Sequence, residues 1–293
     1  MSHSELVIFG EVLFDCFPDG TRVLGGAPFN VAWHCQAFGL RPLFISRVGD
    51  DSLGQEVRSA MQNWGLDVSG LQLDSAHATG IVDVSFNDGE PSYDIVKNSA
   101  WDFIDYQETP EIDKHSTLYH GSLALRNPVS ARSLADLKQQ GFKSVFIDVN
   151  LRPPWWGLSL IQNIMQSGQC IKLNAEELAL VVPQHTDIES RMEFLLTSTN
   201  VKLVVVTRGG DGAIAARLDE RCSVFPETIS HVVDTVGAGD AFTSVLLLGL
   251  HKAWPLQEIL NRAQHFASAV VQQRGATTQD KTFYEPFIEA WQL

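Results

Sequence analysis

The hydrophobic positions of this chain follow two alternating patterns along most of its length. Short apolar runs typical of strands buried on both faces occur at residues 6–9, 43–48, 118–121, 145–149, 170–173 and 203–207. Between several of them the apolar residues recur at helical spacing, at residues 30–38, 53–64, 131–140, 161–167 and 188–197. From residue 241 onward the pattern is mostly helical. This βαβ rhythm predicts an α/β fold in three layers, with helices on both faces of a mainly parallel central sheet.

Two segments, residues 12–24 and 79–104, break this rhythm. They alternate polar and apolar residues and carry turn signals at Pro18-Asp19-Gly20 and Asn87-Asp88-Gly89. Such strands are exposed on one face, so we interpret the segments as a small antiparallel β-sheet lid inserted into a single domain of residues 1–293. An edge hairpin that serves only dimerisation is the alternative.

The composition narrows the class of protein. The chain has 293 residues, 44% hydrophobic and 19% charged, with a net charge of −14. The length and the hydrophobic fraction are sufficient for a large core. The net negative charge and the lack of a cluster of Lys and Arg argue against a nucleic-acid partner. No apolar run approaches the roughly 18 residues that would suggest a membrane span. Absence of a recognisable secretory signal and of CxxC pairs predicts a cytoplasmic protein with reduced thiols at Cys16, Cys35, Cys170 and Cys222.

Residues 234–242, DTVGAGDAF, carry the clearest chemistry. They follow an apolar β-branched segment at 229–233 and open a helical pattern at 241–250. A glycine-rich turn at a helix N-terminus leaves backbone N–H groups unpaired, and the helix dipole favours an anion there. Asp240 lies in this turn, where a carboxylate can take a proton from a hydroxyl. The alternative is a tight turn in which Asp240 only stabilises the first helical turn.

A second glycine-rich string lies near the N-terminus. Residues 25–54 read GGAPFNVAWHCQAFGLRPLFISRVGDDSLG. Gly25 and Gly26 would let the backbone approach a ligand closely, and Asn30 could present its amide to hydroxyl groups. Asp15, after the first strand, could accept hydrogen bonds from two neighbouring hydroxyls. Asp19 is close by but lies in a turn, so we favour Asp15.

Both strings resemble the signatures of the ribokinase-like (PfkB) family of carbohydrate kinases, and residues 234–242 match a common form of the C-terminal one letter for letter. The resemblance implies a ribokinase-like fold and transfer of the γ-phosphoryl group of ATP, with Mg²⁺, to a sugar hydroxyl. Asp240 would be the general base. Gly237, Ala238, Gly239 and Asp240 would form the anion hole. The chain has no GxxxxGK[ST] motif, which excludes P-loop chemistry.

Residues 148–156, DVNLRPPWW, resemble the DxNxRxxLW segment of bacterial fructokinases and 2-keto-3-deoxygluconate kinases, with Trp155 in place of the usual Leu. The resemblance places Asn150 and Arg152 in the cleft, although Arg152 could instead form a surface salt bridge. We expect D-fructose to be converted to fructose 6-phosphate. A 2-keto-3-deoxygluconate kinase is the alternative, although such kinases usually carry a Tyr-Arg pair in the lid and this one offers Tyr93 and Lys97. Another sugar acceptor, or a catalytically silent sensor, also stays open.

Two shorter motifs point to ATP and Mg²⁺. Asn174 and Glu177 fit the family's NxxE motif, in which Glu177 would hold Mg²⁺ through water, but the same spacing is also a common capping box. Residues 207–212, TRGGDG, resemble the family's T-[KR]-G turn, although a glycine-rich hairpin turn would look similar. The nucleotide contacts implied by the resemblance are those of Asn174, Glu177, Thr207, Gly209, Gly212 and Gly239.

Two further expectations concern a cation and a partner. Asp234, the carbonyl of Val236 and the turn around Gly275 resemble a monovalent-cation loop of the family, which implies a K⁺ site. The lid strands are half apolar and could pair across a two-fold axis, so we expect a homodimer. The apolar residues concerned are Ile81, Val84, Phe86 and Ile95.

Overall fold

The strands form two sheets in the computed structural model, which describes residues 4–87, 90–226 and 232–293. In chain order they are β1 (Leu6–Phe9), β2 (Leu13–Cys16), β3 (Arg22–Gly25), β4 (Leu43–Gly49), β5 (Leu71–Asp74), β6 (Gly80–Asn87), β7 (Glu90–Ile95), β8 (Thr117–His120), β9 (Ser144–Asp148), β10 (Cys170–Asn174), β11 (Leu203–Thr207), β12 (Ala213–Ala216) and β13 (Arg221–Val224). The nine-stranded sheet has the order β13-β12-β11-β10-β9-β8-β1-β4-β5. Its strands from β11 to β5 are parallel, and β12 and β13 extend one edge in antiparallel pairing.

Helices cover both faces of this large sheet. They are α1 (Ala27–Ala37), α2 (Ser52–Trp64), α3 (Pro128–Gln139), α4 (Leu158–Gln166), α5 (Ala175–Val181), α6 (Ile188–Ser198), α7 (Ala238–His251), α8 (Leu256–Val270) and α9 (Glu285–Trp291). One core cluster joins the sheet to α1, α2, α7, α8 and α9, and the other joins it to α3, α4, α5 and α6.

The predicted three-layer α/β/α fold is confirmed, and the strand side chains show why the sequence specifies it. Successive side chains of a strand point to opposite faces. In β1, Ile8 packs into the first cluster while Val7 and Phe9 pack into the second. Because both faces are covered by helices, both sets are apolar, and the strand is a continuous hydrophobic run. No helix within the described residues is long and apolar enough to cross a membrane.

The small sheet consists of β2, β3, β6 and β7, in the order β3-β2-β6-β7, and lies within the two segments that break the βαβ rhythm. Its two outer pairings are antiparallel, but β2 and β6 are parallel, which differs from the expected antiparallel arrangement. Leu13 pairs with Gly80, the first residue of each strand, so both strands run in the same direction. The predicted turn at 87–89 and the apolar segment at 229–233 lie partly outside the described residues.

A buried arginine ties the small sheet to the rest of the chain. Arg126 donates to both carboxylate oxygens of Asp102, at 2.8 Å each, and also to the carbonyls of Ile95 and Val96 at the end of β7. Its guanidinium also lies 4.1 Å from the ring centre of Trp101. The donors of Arg126 are therefore used within the chain.

Candidate active site

Asn174 and Thr207, two polar residues expected at the site, end strands at one edge of the large sheet, next to Asp148. Asp148 and Asn174 are the last residues of β9 and β10, and Thr207 is the last residue of β11. Asn174 lies directly opposite Thr207 in the parallel register. Because the carboxyl ends of parallel strands meet at one edge, these residues lie at the edge of the sheet where open α/β folds bind ligands.

The glycine-rich turn begins α7. Gly237 is the N-cap residue with φ 81°, and no side chain caps this helix. A Cβ added to Gly237 would overlap with the side chain of Ala276, so both the backbone angle and the packing require glycine. The first amides of an α-helix have no partner within the helix. The N–H of Ala238 lies 3.4 Å from the carbonyl of Thr235, and the amides of Gly239 and Asp240 at the start of α7 can bind an anion.

Asp240, in the first turn of α7, is brought to the N-terminal signature by Asn30. The side-chain amide of Asn30, on α1, donates to Oδ2 of Asp240 at 2.8 Å. Although Asp240 keeps some solvent exposure, desolvation raises its pKa to about 6, against the opposing effects of the Asn30 hydrogen bond and the charges of Lys172 and Arg152. A carboxylate with this pKa is mostly ionised at neutral pH and is a competent general base.

Asp15 and Asn30 converge on Gly25. A Cβ added to Gly25 would lie 3.9 Å from Oδ2 of Asp15 and 3.8 Å from Oδ1 of Asn30. Gly26 has φ 108°, and a Cβ there would come within 2.7 Å of the carbonyl oxygen of Glu11. Asp15 is half-buried on β2, and burial raises its pKa. The glycines thus leave room beside two polar groups that can bind hydroxyls.

Asp19, the acidic residue we did not favour, lies in an exposed turn. Its carboxylate accepts the backbone N–H of Thr21 at 2.8 Å. This is the local turn hydrogen bond expected of an aspartate in that position. Of the two carboxylates, Asp15 is the one beside the site.

Asn150 and Arg152 lie just beyond β9. Asn150 has φ 40°, and its carbonyl accepts the hydroxyl of Ser122 at 3.4 Å. Arg152 is exposed and donates to the carbonyl of Leu151 at 3.1 Å. Its positive charge lowers the pKa of Asp240. Its other donors are available to a ligand.

The NxxE motif forms a capping box. The side-chain oxygen of Asn174 accepts the N–H of Glu177 at 2.8 Å, and Oε2 of Glu177 accepts the N–H of Asn174 at 2.9 Å. Oε1 of Glu177 accepts the N–H of Leu151 at 2.7 Å. Asn174 and Glu177 therefore form the capping box that was the alternative interpretation of this motif. Glu177 also connects α5 to the segment that carries Asn150 and Arg152.

Residues 207–212 form the hairpin turn between β11 and β12. Gly209 has φ 56° and Gly212 has φ 82°. A Cβ added to Gly212 would overlap with the carbonyl oxygen of Val224. The N–H of Arg208 donates to the carbonyl of Gly212 at 2.7 Å. Both glycines are needed for the turn itself, while Thr207 lies at the sheet edge beside Asn174.

The three parts of the expected cation loop lie together. Oδ1 of Asp234 accepts the N–H of Val236 at 2.9 Å, and Oδ2 accepts the N–H of Gly275 at 3.1 Å. Ala276, the next residue, packs against Gly237 of the anion-binding turn. Asp234 therefore joins this loop to the turn.

Tyr93 is not brought to the other site residues. It lies on β7, at the outer edge of the small sheet, and is 55% exposed. Lys97, the other lid residue considered, has its Nζ 5.0 Å from the ring centre of Trp155. The prediction that Tyr93 contacts a substrate stays a prediction.

The structure adds residues that the motifs did not identify. Lys172 on β10 forms an ion pair with Asp148 at 2.7 Å, and the hydroxyl of Thr243 on α7 donates to the same oxygen at 3.0 Å. Glu11 follows β1, is 3% exposed, and burial raises its pKa to about 7. The signal for Lys172 was its charge within the apolar run of residues 170–173.

A glycine-rich helix start with a carboxylate inside it, at the carboxyl edge of a parallel sheet, is an arrangement suited to transferring a phosphoryl group to a hydroxyl. Sequence comparison identifies the family. The chain belongs to the pfkB family of carbohydrate kinases, whose model matches residues 9–282, and it is a sugar kinase.

Individual relatives agree with this assignment. A fructokinase of Klebsiella pneumoniae is 33% identical over 262 residues, which cover 85% of each chain. The solved structure of a fructokinase from Vibrio cholerae O395, with fructose, ADP and calcium ion bound, has a TM-score of 0.82 and 27% identity, and covers 97% of this chain and 99% of its own. An aminoimidazole riboside kinase from Salmonella enterica, bound to aminoimidazole riboside and an ATP analogue, has a TM-score of 0.82 and 25% identity, and covers 93% and 95%.

Proposed function

We propose that this enzyme transfers the γ-phosphoryl group of ATP to a hydroxyl of D-fructose, giving fructose 6-phosphate, with Asp240 as the general base. The observation that carries the proposal is the hydrogen bond between Asn30 and Asp240 at the uncapped start of α7. It fixes a carboxylate with a pKa of about 6 next to amides that can stabilise a developing negative charge.

ATP and Mg²⁺ fit the donor set around this point. The amides of residues 237–240 would bind the phosphoryl group while it passes from ATP to the sugar hydroxyl, and Thr207 and Asn174, neighbours across β11 and β10, would contact the phosphates. Glu177 would hold Mg²⁺ through water. Each of its oxygens accepts one backbone N–H and therefore keeps lone-pair capacity. Bound Mg²⁺ would neutralise charge on the phosphates.

A K⁺ ion is proposed near Asp234, the carbonyl of Val236 and the turn at Gly275. Asp234 already joins these segments through two hydrogen bonds. A cation there would add to their alignment with the anion-binding turn. Removing K⁺ from the assay is expected to lower turnover, and equal turnover in Na⁺ or tetramethylammonium buffer would contradict the proposal.

Fructose is the proposed acceptor because fructokinases are among the relatives that match most of the chain. Asp15 and Asn30 would bind hydroxyls of the sugar, beside the space left by Gly25. Arg152, close enough to act on Asp240, would bind another sugar oxygen. A carboxylate-bearing sugar is less well supported, since Arg126, at the base of the small sheet, is engaged by Asp102.

A coupled ADP-release assay tests the acceptor. The panel is fructose, 2-keto-3-deoxygluconate, ribose, tagatose, adenosine and aminoimidazole riboside, each with MgATP. We expect the highest kcat/KM with fructose. A kcat/KM ten times higher with another acceptor would identify that acceptor as the substrate in place of fructose and would leave the kinase reaction unchanged. ADP release unaffected by every acceptor would favour the catalytically silent sensor.

A homodimer through the small sheet is also proposed, with that sheet acting as a lid over the sugar. The apolar residues first considered for the interface are partly used within the chain: Val84 and Ile95 are buried, Ile81 is half-buried, and the side chain of Phe86 lies outside the described residues. Pairing would therefore rest on backbone and polar groups of the sheet. Light scattering with size-exclusion chromatography at micromolar concentration should give twice the chain mass of 32.4 kDa, and a monomer would overturn the proposal.

A cytoplasmic location is the last part of the proposal. The chain holds four free cysteines, two buried and two half-buried. Reduced thiols are the rule in the cytoplasm. Fractionation of the producing cells should recover the enzyme with cytoplasmic markers, and recovery from an oxidising compartment would contradict this.

A further inference from the structure

A buried lysine lies directly beneath the anion-binding turn. Lys172, on β10, is only 7% exposed, and its Nζ lies 2.7 Å from Oδ2 of Asp148. A Cβ added to Gly239 would lie 3.5 Å from the same Nζ. Gly239 supplies one of the amides of the turn, so the ammonium group faces the turn from the sheet side.

Short polar contacts connect this lysine to the start of α7. The hydroxyl of Thr243 lies 3.0 Å from Oδ2 of Asp148 and 2.9 Å from the carbonyl of Gly239, and its one hydrogen can be donated to either acceptor. The path runs from Lys172 through Asp148 and Thr243 to Gly239. It therefore joins β10, β9 and the first turn of α7.

The ion pair uses only part of the capacity of its members. An ammonium group has three donors, and the contact with Asp148 occupies one of them. Oδ1 of Asp148 is buried and has no hydrogen-bond partner among the described residues. A pair that served stability alone would be expected to satisfy these atoms, because a buried ion pair repays its desolvation only with further hydrogen bonds.

Several charged groups face Asp240 from the elements packed around it. The positive charges of Lys172 and Arg152 lower its pKa, and the negative charge of Asp148 raises it. Glu11, after β1, and the hydroxyl of Tyr119, on β8, also lie close enough for Asp240 to raise their pKa values. Lys172 is the buried cation of this set.

We propose that Lys172 is a positioning residue for phosphoryl transfer: it holds the turn at 237–240 through Asp148 and Thr243 and adds positive charge beneath the anion hole. Because Asp148 also begins the segment that carries Asn150 and Arg152, the same ion pair links the sugar side of the cleft to the phosphate side. This inference rests on the proposed function of Asp240 and the turn.

Lys172→Met tests it, since methionine keeps the length of the side chain and removes the charge. We expect kcat to fall about 100-fold, the order seen when one donor to a developing anion is removed, with the KM for the sugar changing less than about threefold. The acid limb of the pH–rate profile should move up by about one unit, because a nearby positive charge favours the ionised form of Asp240. Lys138→Met is the matched control: this half-buried lysine bonds to Ser167 and should keep wild-type kinetics.

A double variant separates catalysis from folding. Lys172→Met leaves Asp148 as a buried unpaired charge, which can destabilise the fold. Lys172→Met with Asp148→Asn removes both charges and should fold, as checked by circular dichroism and thermal melting. We expect its kcat to stay at least about 30-fold below wild type, while the acid limb returns towards its wild-type position because the two charges act on the pKa of Asp240 in opposite directions.

Recovery of wild-type kcat by the double variant, or retention of wild-type kcat and pH profile in Lys172→Met, would overturn the inference. Either result would leave the proposed function intact. The role of Asp240 as the base is tested separately: it would be contradicted if Asp240→Asn retained turnover while the wild-type enzyme phosphorylates the sugar.

Discussion

The side-chain amide of Asn30 donates to Oδ2 of Asp240 at 2.8 Å, which joins the N-terminal signature to the C-terminal one across 210 positions. The other amide atom, Oδ1 of Asn30, lies near the space beside Gly25 and has no partner among the described residues. One side chain therefore orients the proposed base and faces the proposed acceptor site. The two signatures act as one site because α1 packs against α7.

Asn30→Ala should lower kcat/KM for the sugar about 100-fold, since it removes a bond that orients Asp240 and a contact to the acceptor. It should also move the acid limb of activity to higher pH, because this hydrogen bond lowers the pKa of Asp240. Gln36→Ala on the same helix is the control, because its amide donates to Gly65 instead. Unchanged kcat/KM in Asn30→Ala would contradict the role of the contact.

Gly237→Ala should abolish most turnover and raise the KM for ATP, since it distorts the turn by overlapping with Ala276 and straining a φ of 81°. Gly141→Ala separates these effects, because Gly141 has φ 83° with nothing within 4 Å of an added Cβ. The control should lose about 1 kcal/mol of stability and keep its kinetics. Urea unfolding and steady-state kinetics check both, and similar kinetics for the two variants would refute the argument.

The pH dependence of kcat/KM should show an acid limb near pH 6, the pKa of Asp240 raised by burial. Protonated Asp240 cannot accept the hydroxyl proton, so activity falls as pH drops through this value. Glu11, with a pKa of about 7, titrates nearby, and Glu11→Gln removes its contribution to the profile. Measurements from pH 4.5 to 8.5 test this, and a flat profile down to pH 4.5 would contradict a raised pKa for Asp240.

Stability should respond to the same carboxylate in the opposite direction. Its pKa is raised from 3.8 to about 6 in the folded protein, so ionised Asp240 destabilises the fold above pH 6 and has no such effect below pH 4. Asp240→Asn should therefore raise the free energy of unfolding at pH 7.5 by about 2 kcal/mol, less than the full shift implies because the group is partly solvated. Urea denaturation should show this gain vanishing at pH 4. An equal gain at both pH values would point to a cause other than charge burial.

Local patterns in the sequence predicted most of the architecture. Continuous apolar runs such as residues 43–48 and 203–207 predicted buried strands because helices cover both faces of the sheet. β5, β12 and β13 were not predicted, since each is only four residues long, and β5 and β13 carry polar residues such as Gln72 and Ser223. β2 and β6 belong to segments far apart in the sequence, so their parallel pairing depends on how the rest of the fold places those segments. The alternation of polar and apolar residues within one segment does not encode this placement.

Residues of the candidate site could be proposed from the sequence where they form a contiguous motif, and were missed where the fold brings them together. The turn at 237–240 follows from helix-start chemistry, while the ion pair of Lys172 with Asp148 joins residues on adjacent strands. Arg126 and Asp102 were missed for the same reason. Glu177 fitted both a metal motif and a capping box, and the sequence could not separate them because one carboxylate can serve both.

The turnover of Asp240→Asn, measured with MgATP and the preferred sugar at pH 7.5, tests the central claim most directly. Asparagine keeps the shape of the side chain and can still accept the bond from Asn30, so the variant should fold and bind both substrates. We expect kcat to fall by at least about 1,000-fold, with circular dichroism and ATP affinity unchanged. Turnover within tenfold of wild type would contradict the assignment of Asp240 as the general base.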